Sequence, residues 1–92
     1  MRRIRWAPAA ADDLEEIRNY LREDHPVLAQ PTIRKLYDVA RSLKRFPNRG
    51  RIGHKEGTRE LIVAPTPHII VYGVEPETVH IFRILHASMQ RR

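Results

Sequence analysis

The 92-residue chain contains no cysteine. That excludes a disulfide framework, a thiolate nucleophile and a zinc–cysteine site. It also lacks any apolar run near the roughly 18 residues a membrane-spanning helix needs. The start, Met1-Arg2-Arg3-Ile4-Arg5-Trp6, is basic but leads into no apolar stretch, so it does not read as a secretory signal. These absences fit a reducing cytoplasm, the expected location, with no membrane partner. No internal repeat or low-complexity tract is visible, so one domain over 1–92 is expected. Hydrophobic residues at 41% fit a folded protein and charged residues at 30% a soluble one. A chain this short buries only about two thirds of its unfolded surface.

The formal net charge is +6, unevenly spread. Asp12 to Asp24 holds six acids and two arginines, whereas Arg34 to Arg59 holds nine bases and two acids. Such a basic surface suits a polyanion or an acidic protein, or is simply a solvated face. A nucleic-acid reading would use Arg34, Lys35, Arg41, Lys44 and Arg45, but these are scattered round a helix and no base-reading motif accompanies them.

Ile4 and Trp6 alternate with Arg3 and Arg5, the period of a half-buried strand. Pro8 suits the first position of a helix. Leu14, Ile17, Tyr20 and Leu21 form its apolar stripe, and Asp12, Asp13, Glu15 and Glu16 are expected to favour its positive end. That helix should stop before Pro26. A second helix, with Ile33, Leu36, Tyr37, Ala40 and Leu43 inward, runs to about Phe46. It starts either at Pro31 or near Pro26 with a kink. The short link makes the two an antiparallel hairpin. Arg51 to Glu56 reads as a polar, flexible connection.

Three β-type runs follow: Gly57 to Val63, Pro67 to Tyr72 and Val79 to His86, with turns at Ala64–Pro67 and Gly73–Glu77. The expected fold is therefore α+β: a short N-terminal strand and a helix hairpin packed on a small, mainly antiparallel sheet. Simple alternation in the last strand puts Val79, Ile81, Arg83 and Leu85 on one face. Phe82 and Ile84 fall on the other, and a bulge would change this. One largely apolar face is left for a partner.

Order and residues together resemble the RelE/ParE family of type II toxin–antitoxin toxins, closer to its ParE-like branch. The landmarks are Trp6-Ala7-Pro8, Asp12 to Ile17 with Tyr20, Pro47 and Gly50-Arg51, Gly57 to Leu61, the Pro67 to Tyr72 run and Arg83-Ile84-Leu85-His86. The resemblance implies a growth-arresting toxin held by a cognate antitoxin, as a homodimer or a toxin–antitoxin heterotetramer, with no cofactor and no metal. ParE-like members poison DNA gyrase. RelE-like members cleave mRNA on the ribosome. A non-toxic relative that only binds antitoxin or nucleic acid is a third class.

Metal-independent RNA cleavage needs a base, an acid and cations on the phosphate. By resemblance, Arg59 and Arg83 match phosphate-binding arginines, His86 or His54 would move protons, and Lys55 would add charge. Against this, Ala87-Ser88-Met89-Gln90 lacks the aromatic ending of such nucleases. The structural alternative pairs Arg59 and Arg83 with Glu56, Glu60 or Glu77. In the gyrase reading, Leu85-His86-Ala87-Ser88-Met89 is similar to a ParE-like ending, and His86, Met89, Arg91 and Arg92 become contact residues. Arg34, Lys35, Arg41, Ile81, Arg83 and Leu85 are the expected antitoxin contacts. His80 and His86 stand roughly 20 Å apart along a strand, too far to share an ion.

Overall fold

A computed structural model describes residues 1–89, with the side chain of Met89 outside the description. The elements run β1 (Arg3–Trp6), α1 (Pro8–Asp24), α2 (Pro26–Ser42), β2 (Arg51–Ile52), β3 (Arg59–Ile62), β4 (His68–Val74) and β5 (Thr78–His86), then a short 3-10 turn (Ala87–Met89). The sheet order is β1-β5-β4-β3-β2. Only β1 runs parallel to its neighbour, pairing with β5; the other pairs are antiparallel. The α+β architecture expected from the sequence is what forms.

β1 passes directly into α1. The Ala7 N–H still donates to Ile81 in the ladder, while the Ala7 carbonyl already accepts from Ala11. Pro8 fills the first helical position and no side chain caps the helix, which suits a residue without an N–H. The acids of α1 begin at Asp12, beyond its first turn. The dipole effect expected of them fades by there, and Asp13 serves a different purpose.

His25 alone joins the helices. α2 starts at Pro26 and continues through Pro31, losing one backbone bond there. It ends at Ser42 rather than Phe46, and turns that bond back to Ala40, Arg41 and Ser42 carry the chain to Phe46.

The core lies between the hairpin and one sheet face. Ala10 and Leu14 of α1 and Ile33, Leu36, Ala40 and Leu43 from the α2 side meet Val63, Ile70, Tyr72, Val79, Ile81 and Ile84. Two tyrosines assigned to the helix stripes face outward. Tyr20 is exposed and packs its ring near His25; Tyr37 is exposed and leans on Trp6 at 5.4 Å between centroids. A phenol at the rim of an apolar stripe keeps its hydroxyl in water while its ring covers a neighbour.

Three details of the sheet differ from simple alternation. Arg51 and Ile52 form an edge strand, not a free connection. Gly73 belongs to β4, with the Phe82 ring lying over the place a Cβ would fill. Most consequentially, β4 and β5 shift register: Tyr72 faces Ile81 but Val71 faces Arg83, so Phe82 is an extra residue. A bulge reverses the parity beyond it. Ile84, not Leu85, therefore enters the core, and Leu85 joins Ile69 on the open side.

Candidate functional site

β1 covers β5 only as far as Ile81. Beyond it the edge of β5 is exposed, and α1 supplies the missing acceptor. The Asp13 carboxylate accepts from the Ile84 N–H at 2.9 Å and from Arg83 through both Nε and Nη2, at 2.7 and 2.9 Å. Burial pushes the Asp13 carboxyl upward, but the Arg83 and Ile84 hydrogen bonds outweigh it and hold it below its ordinary value of 3.8. Arg83 is raised, chiefly by the hydrogen bonds to Asp13. This planar, two-pronged contact is the geometry guanidinium and carboxylate favour. The side chain remains 47% exposed.

On the other side of β4 stands Arg59, at nearly the same level, because Arg59 faces Tyr72 and Arg83 faces Val71. Two strand spacings put their backbones about 10 Å apart. Their guanidinium groups have separate partners. Arg59 Nη1 donates to the Gly50 carbonyl at 2.6 Å. The Gly50 N–H donates to the Tyr72 hydroxyl at 2.8 Å, and that hydroxyl donates to the Pro47 carbonyl at 2.7 Å. Burial raises the Tyr72 phenol above its ordinary value, so it stays protonated and able to donate. Tyr72 and Arg59 together fasten the exit of α2 to the sheet.

Glu60, on the open face, is 5% exposed. Burial raises its carboxyl, but Arg51 Nη2 at 3.0 Å and the His54 N–H at 3.3 Å bring it below its ordinary value of 4.5. The segment expected to be flexible is thus tied to β3. Gly57, at φ 82°, makes the turn at its far end.

A groove of about 760 Å³ opens between α1, the start of α2, the 65–67 segment and the end of β5. Ile17, Tyr20, Leu28 and Leu85 give it apolar walls; Arg83, His68 and His86 give it polar ones. His68 and His86 face each other across the β4–β5 ladder, ring edge to face, with centroids 5.6 Å apart. His86 Nδ1 accepts from the Ser88 N–H at 3.2 Å and lies 2.9 Å from the Ser88 hydroxyl, so the neutral ring carries its proton on Nε2. His68 is 7% exposed, and among the described residues its Nδ1 has no hydrogen-bond partner. Burial, then the neighbouring His86, lowers its pKa below 6.5.

The expected catalytic set is only partly brought together. Arg83 and His86 line one groove, because Arg83 reaches round the open edge. Arg59 lies across β4 from them, and His54 and Lys55 sit in the loop before β3. The partners of the two arginines are Asp13 and a backbone carbonyl, not Glu56, Glu60 or Glu77. Ile81 is 0% exposed and packed in the core, which removes it from the antitoxin contacts. Arg34, Lys35 and Arg41 are exposed, and Leu85 is half-buried. Arg91, Arg92 and the side chain of Met89 lie outside the described residues. Asp13 and His68 are the residues that sequence reasoning passed over. Their partners are 70 and 18 positions away, and no local pattern signals such pairs.

Among the described residues no group of three or more His, Asp or Glu side chains is placed to hold a metal ion. None of the described helices is long and apolar enough to cross a membrane. The architecture is thus a helix hairpin over a five-stranded, mainly antiparallel sheet, with the open edge of β5 held by the first helix. A family model described as the ParE toxin of type II toxin–antitoxin systems, parDE, matches residues 4–91. The chain belongs to this ParE toxin family.

Toxin RelE2 of Caulobacter vibrioides is 40% identical over 88 residues, covering 96% of this chain and 98% of that protein. The fold matches a chain of the chromosomal ParDE toxin–antitoxin system from P. aeruginosa with a TM-score of 0.86 at 24% identity, over 94% of this chain and 96% of that one. It also matches a chain of the E. coli DinJ–YafQ toxin–antitoxin complex, with a TM-score of 0.67 at 15% identity, over 99% and 98%. At these identities the structural matches speak for the fold.

Proposed function

We propose that this toxin arrests bacterial growth by inhibiting DNA gyrase and is neutralised by a cognate antitoxin. One observation carries the choice of target. The two arginines that a ribosome-dependent nuclease would need for phosphate both have internal duties: Arg83 is paired bidentately with Asp13, and Arg59 holds the Gly50 carbonyl. Freeing either one means breaking a contact that fastens an element of the fold. In the gyrase reading, the end of β5 and the tail beyond it, including His86, form the contact region.

The antitoxin covers the open sheet face. There Ile62 and Phe82 are exposed beside half-buried Val71 and Leu85, an apolar surface that no helix among the described residues packs on. Exposed Arg34, Lys35 and Arg41 on α2 suit acidic residues of the same partner.

A second reading, mRNA cleavage, has one observation of its own. His68, His86 and Arg83 line the same groove, and two imidazoles beside a cation are the ingredients of general acid–base catalysis on a phosphodiester.

The test is DNA supercoiling by purified gyrase with rising amounts of this protein, scoring both inhibition and cleaved DNA. Inhibition reversed by antitoxin is expected, and it should persist in Arg59→Ala and Arg83→Ala proteins that remain folded. A chain ending at Leu85 should lose it. No effect at large excess would remove the gyrase reading and move the weight to cleavage of ribosome-bound mRNA, where Arg83→Ala and His86→Ala should then be inactive.

A further inference from the structure

Arg41 to Lys55 contains six bases and no acid, leaving eleven bases and eleven acids elsewhere. The whole formal charge of +6 therefore sits in this one stretch. The fold fastens this stretch. Arg49 donates to Ser42 Oγ at 2.7 Å, folding the exit loop back on the end of α2. Tyr72 fastens Pro47 and Gly50, and β2 pairs with β3. Arg41, Lys44, Arg45, Arg49, Arg51 and Lys55 thus stand on the end of α2 and on the fastened loop and edge strand that follow it.

Little of that charge is compensated. Among the described residues only Arg51 of the six has a carboxylate partner, Glu60. All but the half-buried Lys44 are exposed. Like charges carried along one fastened segment build a local positive potential that concentrates anions. Four of the six are arginines, whose forked donors suit phosphate oxygens.

We infer that this segment is a binding surface for the phosphate backbone of duplex DNA, used without regard to sequence. The stretch presents one exposed aromatic, Phe46, whereas single-stranded nucleic acid is held on several stacking rings. An acidic peptide would need an apolar seat beside the charges, and only Phe46 and Ile52 are exposed apolar residues in the stretch. The choice of DNA over duplex RNA rests on the gyrase reading. The contact would place the toxin on DNA that the enzyme holds.

The experiment contains no gyrase, so failure of the two readings can be told apart. A fluorescent DNA duplex of about 30 base pairs is titrated with the purified toxin, and anisotropy is followed from about 50 to about 200 mM salt. Neutralising five or six phosphates should weaken binding about a thousandfold over that range. The double variant Arg45→Gln with Lys55→Gln should lower the log–log salt slope by about two, and the affinity at the low-salt end by about a hundredfold. The variant Arg3→Gln with Arg5→Gln removes the same charge from the exposed side of β1 and should keep the parent slope. Thermal melts establish that both variants fold. Absence of binding at low salt overturns the proposal. So does an equal loss in both variants, or preference for a duplex RNA of the same length.

Discussion

The sheet has two sides about β4, and each uses an arginine differently. On the β5 side, Arg83 is neutralised by Asp13, and the pair closes a strand edge that β1 is too short to cover. On the β3 side, Arg59 holds a neutral carbonyl, so its charge adds to the bases of the neighbouring α2 exit. The same residue type, at nearly the same level on the two strands that flank β4, is compensated in one place and left as potential in the other. Arginine at a family position therefore does not by itself indicate phosphate chemistry; its partner decides what it can do.

The comparison is broken most severely by removing the centre of the β3 side. Tyr72→Phe leaves the Gly50 N–H and the Pro47 carbonyl without their partner in a buried setting, so unfolding in urea should show a loss of about 2–3 kcal/mol. A loss no greater than that of an ordinary surface substitution would mean that water replaces the hydroxyl and the lock is weak. Gly50→Ala attacks the same point by sterics, since a Cβ there would come within 2.8 Å of the Glu60 carbonyl and the Tyr72 hydroxyl.

On the β5 side, Asp13→Ala should cost about 1–2 kcal/mol, because it unpairs the Ile84 N–H as well as Arg83. Arg83→Gln should cost less, about 0.5–1 kcal/mol, since the guanidinium is half exposed and its loss leaves Asp13 bonded to Ile84. Equal costs in a double-mutant cycle would place the whole effect in the ion pair and deny Asp13 its edge-closing role. The Asp13 contribution also has a pH signature. Its folded carboxyl lies below the ordinary 3.8, so the contact stabilises at all higher pH and is lost as pH falls through the depressed value.

A milder pH effect belongs to His68. The folded ring resists protonation below the ordinary 6.5, whereas the unfolded chain accepts a proton there. Stability should therefore decline as pH drops from neutral into the range below 6.5. His68→Phe should flatten that slope in melts taken at successive pH values. An unchanged slope would assign it to another group.

Much of the framework was legible in the sequence because it rests on local chemistry. Pro8 and Pro26 bracket α1 where a missing N–H costs nothing. The apolar spacing in both helices marks the residues that reach the core, with Tyr20 and Tyr37 misplaced because periodicity does not distinguish the centre of a stripe from its rim. β2 was missed because two residues give no period to read. The catalytic and partner residues were harder. Alternation alone does not show which sheet face meets the helices, so the sequence offers Ile81 as a surface contact although it is fully buried.

By itself the sequence determined the order of the elements other than β2, the family resemblance and the concentration of positive charge after α2, since each depends on residues close together along the chain. Tertiary structure decided the rest. The Phe82 bulge reversed which residues of β5 face inward. Pairing across 70 positions turned Arg83 from a free cation into half of an edge clasp. Strand pairing brought His68 and His86 together at one groove. Register, edge closure and long-range pairing depend on which strands become neighbours, and local preferences along the chain do not encode that directly.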